Sequence, residues 1–201
     1  MKKADIISRF CISKKQEFLL ESYIHELIKN NEHTNLVGKS TLLDPWNNHI
    51  LDSLQVSSFL KNKELSILDM GSGAGLPGVV LSILGYSKIT LIDSNGKKIN
   101  FLNKIKHELG LVYKTKLKRI ERLSNMKFDI ITSRALAKLD KLISYSQNLS
   151  KKNTVLIFLK GKTVNEEIEN AKKKWTFKKI NHQSLSDSRG SVVALSNVKH
   201  K

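Results

Sequence analysis

Four glycines in eight residues, Gly71-Ser72-Gly73-Ala74-Gly75-Leu76-Pro77-Gly78, follow directly on Ser66-Ile67-Leu68-Asp69-Met70 and precede a second apolar run, Val79 to Leu84. Run, loop and run predict a strand, a tight turn and the start of a helix. Such a turn needs a backbone free to take positive φ, which glycine does without a steric cost. The helix behind it presents unpaired amides and the positive end of its dipole. The loop therefore suits a polar, nucleotide-like ligand lying close to the main chain.

Gly73-x-Gly75-x-x-Gly78 satisfies the dinucleotide spacing. About twenty residues on, Lys88-Ile89-Thr90-Leu91-Ile92-Asp93 ends a second strand in an acid, the usual partner of a ribose hydroxyl pair. Asp93 suits NAD and S-adenosylmethionine equally. Asp69 separates the two, because it completes an acid-x-Gly-x-Gly-x-Gly pattern that resembles the first motif of S-adenosylmethionine-dependent methyltransferases. A carboxylate there would repel a pyrophosphate, whereas the sulfonium and amino group of S-adenosylmethionine are positive.

The chain has 201 residues, 40% of them apolar, enough for one substantial core and a single domain. Within it, residues 1–62 read as N-terminal helices and residues 63–201 as a cofactor-binding α/β core. No apolar stretch is long enough to span a bilayer, and Asp5, Ser8 and Arg9 interrupt any signal-peptide core. The single cysteine, Cys11, allows no internal disulfide, and no metal-ligand cluster is present. A cytoplasmic monomer is expected. The formal net charge of +17 calls for a polyanionic partner such as RNA or DNA, although a lysine-rich composition accounts for part of it. Arg9, Arg119, Arg122, Arg134 and Arg189 are the only arginines, and an arginine fork holds two acceptors at once as lysine does not.

Ser13-Lys14-Lys15-Gln16 reads as a capping box opening a helix over about 14–30, and Asp44-Pro45 opens a second through Phe59. From Leu65 onward strands and helices alternate, as a mostly parallel, doubly wound sheet requires. Strands are expected at 66–70, 88–93, 112–118, 128–133 and 154–160, with helices at 97–109 and 135–148. Segments 175–180 and 191–198 are expected to pair antiparallel at the sheet edge. Ligands of such sheets bind at the carboxyl ends of the strands. That rule gathers Asp69 to Gly75, Asp93, the Arg119-Ile120-Glu121 turn, Ser133-Arg134-Ala135 and Lys160-Gly161-Lys162 on one rim.

An ordered set of blocks now resembles the bacterial small-subunit ribosomal RNA guanine-N7 methyltransferases, the glucose-inhibited division protein B family. The blocks are Asn35-Leu36, His49-Ile50-Leu51-Asp52-Ser53-Leu54, the glycine loop from Asp69, Leu91-Ile92-Asp93-Ser94-x-Gly96-Lys97-Lys98, Phe128-Asp129-x-x-x-Ser133-Arg134-Ala135 and Leu159-Lys160-Gly161. The resemblance implies a class I (Rossmann-like) methyltransferase fold, S-adenosylmethionine as donor and N7 of a guanine in 16S rRNA as acceptor. It places cofactor contacts on Gly71, Leu76, the Ile120-Glu121 pair and Arg134, beside Asp69, Gly73, Gly75 and Asp93 read from the loop. The family usually has a basic residue before the His-x-Leu-Asp-Ser block, where this chain has Asn48.

N7 of guanine carries a free lone pair, so no general base is required, and positioning should supply most of the catalysis. Arg134, Lys160 and His49 are the expected positioning residues. Asp52 and Ser53 read as structural contacts. Lys97, Lys98, Arg119 and Arg122 are expected to meet the phosphates of 16S rRNA or of the small subunit. Two other readings compete: a nicotinamide-dependent oxidoreductase on the same loop, and a non-catalytic RNA-binding module on a methyltransferase fold.

Overall fold

The computed structural model describes residues 1–201. Its centre is a seven-stranded sheet of order β3-β2-β1-β4-β5-β7-β6. The strands are β1 (Ile67–Met70), β2 (Ile89–Asp93), β3 (Lys114–Leu117), β4 (Phe128–Arg134), β5 (Ser150–Lys160), β6 (Trp175–Gln183) and β7 (Ser191–His200). The first five run parallel, while β7 pairs antiparallel with both β5 and β6. The Rossmann-like α/β architecture and the antiparallel edge follow the sequence pattern.

Period-two alternation divides the core between the two faces. Ile67, Ile89, Leu91, Ile130 and Ile157 face α2 (Lys14–Thr34), α4 (Gly78–Ile83) and α5 (Gly96–Glu108). Leu68, Met70, Ile92, Ile131 and Phe158 face α6 (Leu139–Ser146) and α7 (Val164–Lys172). The N-terminal segment, with α1 (Lys3–Arg9) and α3 (Asp52–Leu54), contributes Ile6, Leu20, Tyr23, Leu27 and Leu54 to the first of these cores. Helix α2 opens on the expected capping box at Ser13 and Gln16 and closes on Asn35 in the left-handed conformation. The Tyr23 hydroxyl, fully buried on α2, donates to the Ala74 carbonyl in the glycine loop at 2.9 Å.

Three expectations need correction. The segment from Pro45 to Phe59 is not one regular helix: it winds as a π turn at Trp46–Leu51, then α3, then a 3-10 turn at Gln55–Phe59. The expected helix over 135–148 starts only at Leu139, because Ala135 takes φ of 56° and the chain first turns back over the glycine loop. Finally, α1 and α7 are additional helices, and β5 begins at Ser150 rather than Thr154.

Candidate functional site

The strand order reverses between β2-β1 and β4-β5, and there the carboxyl ends of the strands open a cleft of about 810 Å3. That volume matches a small-molecule site. Gly71, Gly73 and Leu76 line it beside Asp93, Ile120, Glu121, Arg134 and Lys160.

The glycine loop is fixed by its own hydrogen bonds. Ser72 amide donates to the Ile92 carbonyl at 2.9 Å, and the Gly73 amide to Asp93 Oδ2 at 2.9 Å. Gly73 has φ of 56° and no neighbour nearer to a built Cβ than Gly71 O at 3.9 Å, so its α-carbon faces open cleft. Gly75, with φ of 96°, is crowded instead: a Cβ there would run into Val79 and Leu102. Gly75 therefore shapes the loop from beneath and does not line the cleft.

Asp69 is also displaced from its expected role as a cleft residue. Its carboxyl is fully buried under the loop, where Oδ2 accepts from the Gly78 amide at 3.0 Å. Burial pushes its pKa up to about 7, against the lowering effects of the Gly78 amide and of Arg134. Its place between strand and helix start makes it a fastening for the turn. Asp93 does reach the cleft, with Oδ1 accepting from the Asn95 amide at 2.9 Å while Oδ2 holds Gly73. Ile120 and Glu121 sit on a single 3-10 turn, and the Tyr145 hydroxyl donates to Glu121 Oε1 at 3.0 Å. The carboxyl of Glu121 lies below the ordinary range, first through its own backbone amide and then through Tyr145.

Arg134, the last residue of β4, is the centre of the most connected group. Its NH1 donates to the Asn48 carbonyl at 3.0 Å and to Asp52 Oδ2 at 3.3 Å, and both NH1 and NH2 lie 3.2 Å from His49 Nδ1. A guanidinium only donates, so Nδ1 is the acceptor and the imidazole proton sits on Nε2. Nε2 then donates to Thr41 Oγ1 at 2.9 Å, whose hydroxyl passes on to the Gly38 carbonyl at 2.6 Å. Burial, with Arg134 beside it, lowers the His49 pKa to about 4. His49 is thus a neutral ring with both nitrogens occupied. The π turn carries His49 and Asp52 to the same guanidinium, and Asn48 contributes its backbone carbonyl to it.

Lys160 lies at the cleft, but its charge is already matched. Its ammonium pairs with Glu167 Oε2 at 2.6 Å and donates to the Ala137 carbonyl at 2.9 Å. Glu167 in turn accepts the Leu139 amide at 2.8 Å and the Thr163 hydroxyl at 2.9 Å. Lys160 thereby ties β5, α7 and the segment after Arg134 together while lining the cleft. Of the four expected RNA contacts, Lys98 and Arg119 line the cleft, and Lys97 and Arg122 lie exposed outside it. None of the four is engaged in an ion pair.

Sequence reasoning missed the far wall of the cleft. Ser184, Ser186, Asp187 and Gly190 come from the loop between β6 and β7, and Val37, Gly38 and Thr41 from the segment after α2. No motif marks these residues. The only available signal was topological, since the β6–β7 connection ends at the carboxyl rim.

The comparisons with known proteins agree with this geometry. Residues 16–193 match the family model described as rRNA small subunit methyltransferase G, or GidB. The ribosomal RNA small subunit methyltransferase G of Rickettsia prowazekii (strain Madrid E) is 37% identical over 179 residues, 89% of this chain and 93% of that protein. The protein of the same name from Rhodospirillum rubrum is 34% identical over 187 residues, 93% of each chain. Among solved structures, a SAM dependent methyltransferase from Aquifex aeolicus superposes with a TM-score of 0.59 at 18% identity, covering 78% of this chain and 95% of that one. That likeness establishes the fold, and the sequence matches establish the rest: the chain belongs to the small-subunit rRNA methyltransferase G family.

Proposed function

We propose that this chain transfers a methyl group from S-adenosylmethionine to N7 of a guanine in 16S rRNA, presented as naked RNA or as the small ribosomal subunit. The observation that carries the reading is one cleft holding both an open glycine loop fastened to Asp93 and the half-buried Arg134-His49-Asp52 group. The residues present fit the cofactor. Gly73 leaves the backbone bare, Asp93 offers acceptors for ribose hydroxyls, and Leu76, Ile120 and Leu136 give apolar surface for an adenine. Bound there, S-adenosylmethionine supplies an electrophilic methyl on a positive sulfur.

The rest falls to the chain's own groups. His49 has no free lone pair and is held neutral, so the cleft offers no imidazole base at that position. Methylation at N7 needs none, because that nitrogen carries no proton. Arg134 keeps its Nε–H and one NH2 proton unused within the protein, enough to hold a carboxylate or phosphate oxygen. Orientation of two reactants in such a site is worth roughly 7 to 11 kcal/mol in favourable cases. Lys98, Lys118 and Arg119 at the mouth leave unpaired cations for phosphates. The same reading has the protein act in the cytoplasm as a monomer; no helix is long and apolar enough to cross a membrane.

The test is to incubate the protein with labelled S-adenosylmethionine and small subunits lacking the modification, then to identify the labelled nucleoside. Label in 7-methylguanosine from one site supports the assignment. Cofactor binding without label in that nucleoside would move the acceptor elsewhere.

A further inference from the structure

The two halves of the cleft are joined by one carboxylate. Asp52 Oδ2 accepts from Arg134 at 3.3 Å, and Oδ1 accepts the Ser186 hydroxyl of the β6–β7 loop at 2.8 Å. Ser186 is in turn 2.8 Å from Ser184 Oγ. Because Ser186 gives its proton to Asp52, Ser184 donates to Ser186. One turn further along, Gln55 Nε2 reaches Ser184 Oγ at 3.2 Å, and its Oε1 accepts the Leu185 amide at 2.7 Å. The loop itself is closed by Ser184 amide to Gly190 carbonyl and Gly190 amide to Asp187 carbonyl, both at 2.9 Å. Its side chains are mostly exposed, so polar links to the 52–55 segment are its main anchorage.

Geometry makes these links interdependent. Asp52 is only 18% exposed at the side chain and Arg134 19%, so neither charge can easily exchange its partner for water. A ligand engaging the free edge of Arg134 would hold the guanidinium in the attitude already set by Asn48, His49 and Asp52, and so would fix Asp52 in turn. An oriented Asp52 presents Oδ1 to Ser186 in a fixed place. Thermodynamic reciprocity runs the other way with equal strength.

We infer that Asp52 is a positioning residue through which occupation of the Arg134 half of the cleft orders the Ser184–Gly190 loop walling the other half. This inference rests on the functional reading above. Donor binding would then complete the wall against which the acceptor base is received, and the loop would in turn favour the donor-bound form.

The experiment uses the full chain and S-adenosylhomocysteine, with calorimetry for affinity and hydrogen exchange for the amides of residues 184–190. In the wild type, S-adenosylhomocysteine slows exchange across the loop. Ser186→Ala loses that protection and binds about three- to tenfold more weakly, the scale of one hydrogen bond's net contribution. Ser186→Thr, which keeps the hydroxyl, restores both, a rescue that a merely packed serine would not show. Asp52→Ala carrying Ser186→Ala is no weaker than Asp52→Ala alone, because the link is already gone. Unchanged loop exchange in a wild type that binds the ligand, or wild-type affinity in Ser186→Ala, overturns the coupling. Protection that persists in Ser186→Ala also overturns it, because the ligand then touches the loop directly. Absence of any binding by the wild type overturns the functional reading, and the coupling with it.

Discussion

Replacing Lys160 by Met removes an ammonium that is 8% exposed and leaves opposite it a Glu167 carboxylate that is 13% exposed. Breaking a buried pair from one side costs about 3–5 kcal/mol when the remaining charge is stranded. Glu167 keeps the Leu139 amide and the Thr163 hydroxyl as donors, which offset part of that loss. The Ala137 carbonyl loses its partner at the same time. The balance is about 2–3 kcal/mol, and for a chain of this size each kcal/mol lowers Tm by about 2–4 °C, so the shift should be roughly 4–12 °C. Adding Glu167→Gln removes the stranded charge, with the amide oxygen still accepting from Leu139 and the amide nitrogen turned to the Thr163 hydroxyl. The double variant should therefore recover about half or more of the loss. Urea unfolding of the wild type, both single variants and the double variant reads this directly. If Lys160→Met is as stable as the wild type yet inactive, the ion pair is not what holds this corner together, and the stability argument is wrong.

Three further outcomes follow from the geometry. His49 has a folded pKa lowered to about 4 from about 6.5, so the unfolded chain binds more protons between these values; its stability contribution is full above about pH 6.5 and is lost as pH falls toward 4. The stability difference between wild type and His49→Gln should shrink over that window in pH-resolved urea unfolding, and a constant difference would show that the ring is not held neutral. Asp69 has the opposite sign, with its folded pKa raised to about 7: the protonated form is favoured on folding, and stability declines as pH rises from about 4 to 7. Asp69→Asn, which can still accept from Gly78, should gain on the wild type across that interval, and parallel pH profiles for the two would refute the argument. Ala135→Val should cost about 2 kcal/mol or more, because a β-branched residue resists the φ of 56° there, while Ala135→Gly should be nearly neutral. Thermal unfolding of the two variants separates backbone strain from side-chain loss.

What the sequence made legible was local. The glycine loop, the strand before it and Asp93 after the next strand are set by short-range signals: turn chemistry, apolar runs and a single acid at a strand end. The order of the sheet's edge followed from two final runs too close for a crossover helix. What stayed hidden depends on contacts between distant residues. Asp52 and Ser186 are 134 positions apart, and neither is unusual in its neighbourhood. Lys160 looked available because its partner lies on α7, a helix whose weakly apolar sequence gave no clear start. Asp69 looked like a ligand because an acid beside a glycine loop suggests charge facing outward. The pleat sends it to the face under α4, where the Gly78 amide meets it. The late start of α6 follows from Ala135, a residue that gives no warning of a left-handed backbone.

Tyr23 belongs to a helix that precedes the sheet, and neither it nor Ala74 lines the cleft. Its hydroxyl nevertheless grips the middle of the glycine loop from behind, 51 positions away in the chain. A glycine-rich segment left to itself samples many shapes, and a ligand that selects one of them loses affinity to that search. The leading helix spares the loop this search. With the donor on this loop as proposed, its affinity is partly a property of the N-terminal layer, and Tyr23→Phe would slacken the grip on a molecule the helix never meets.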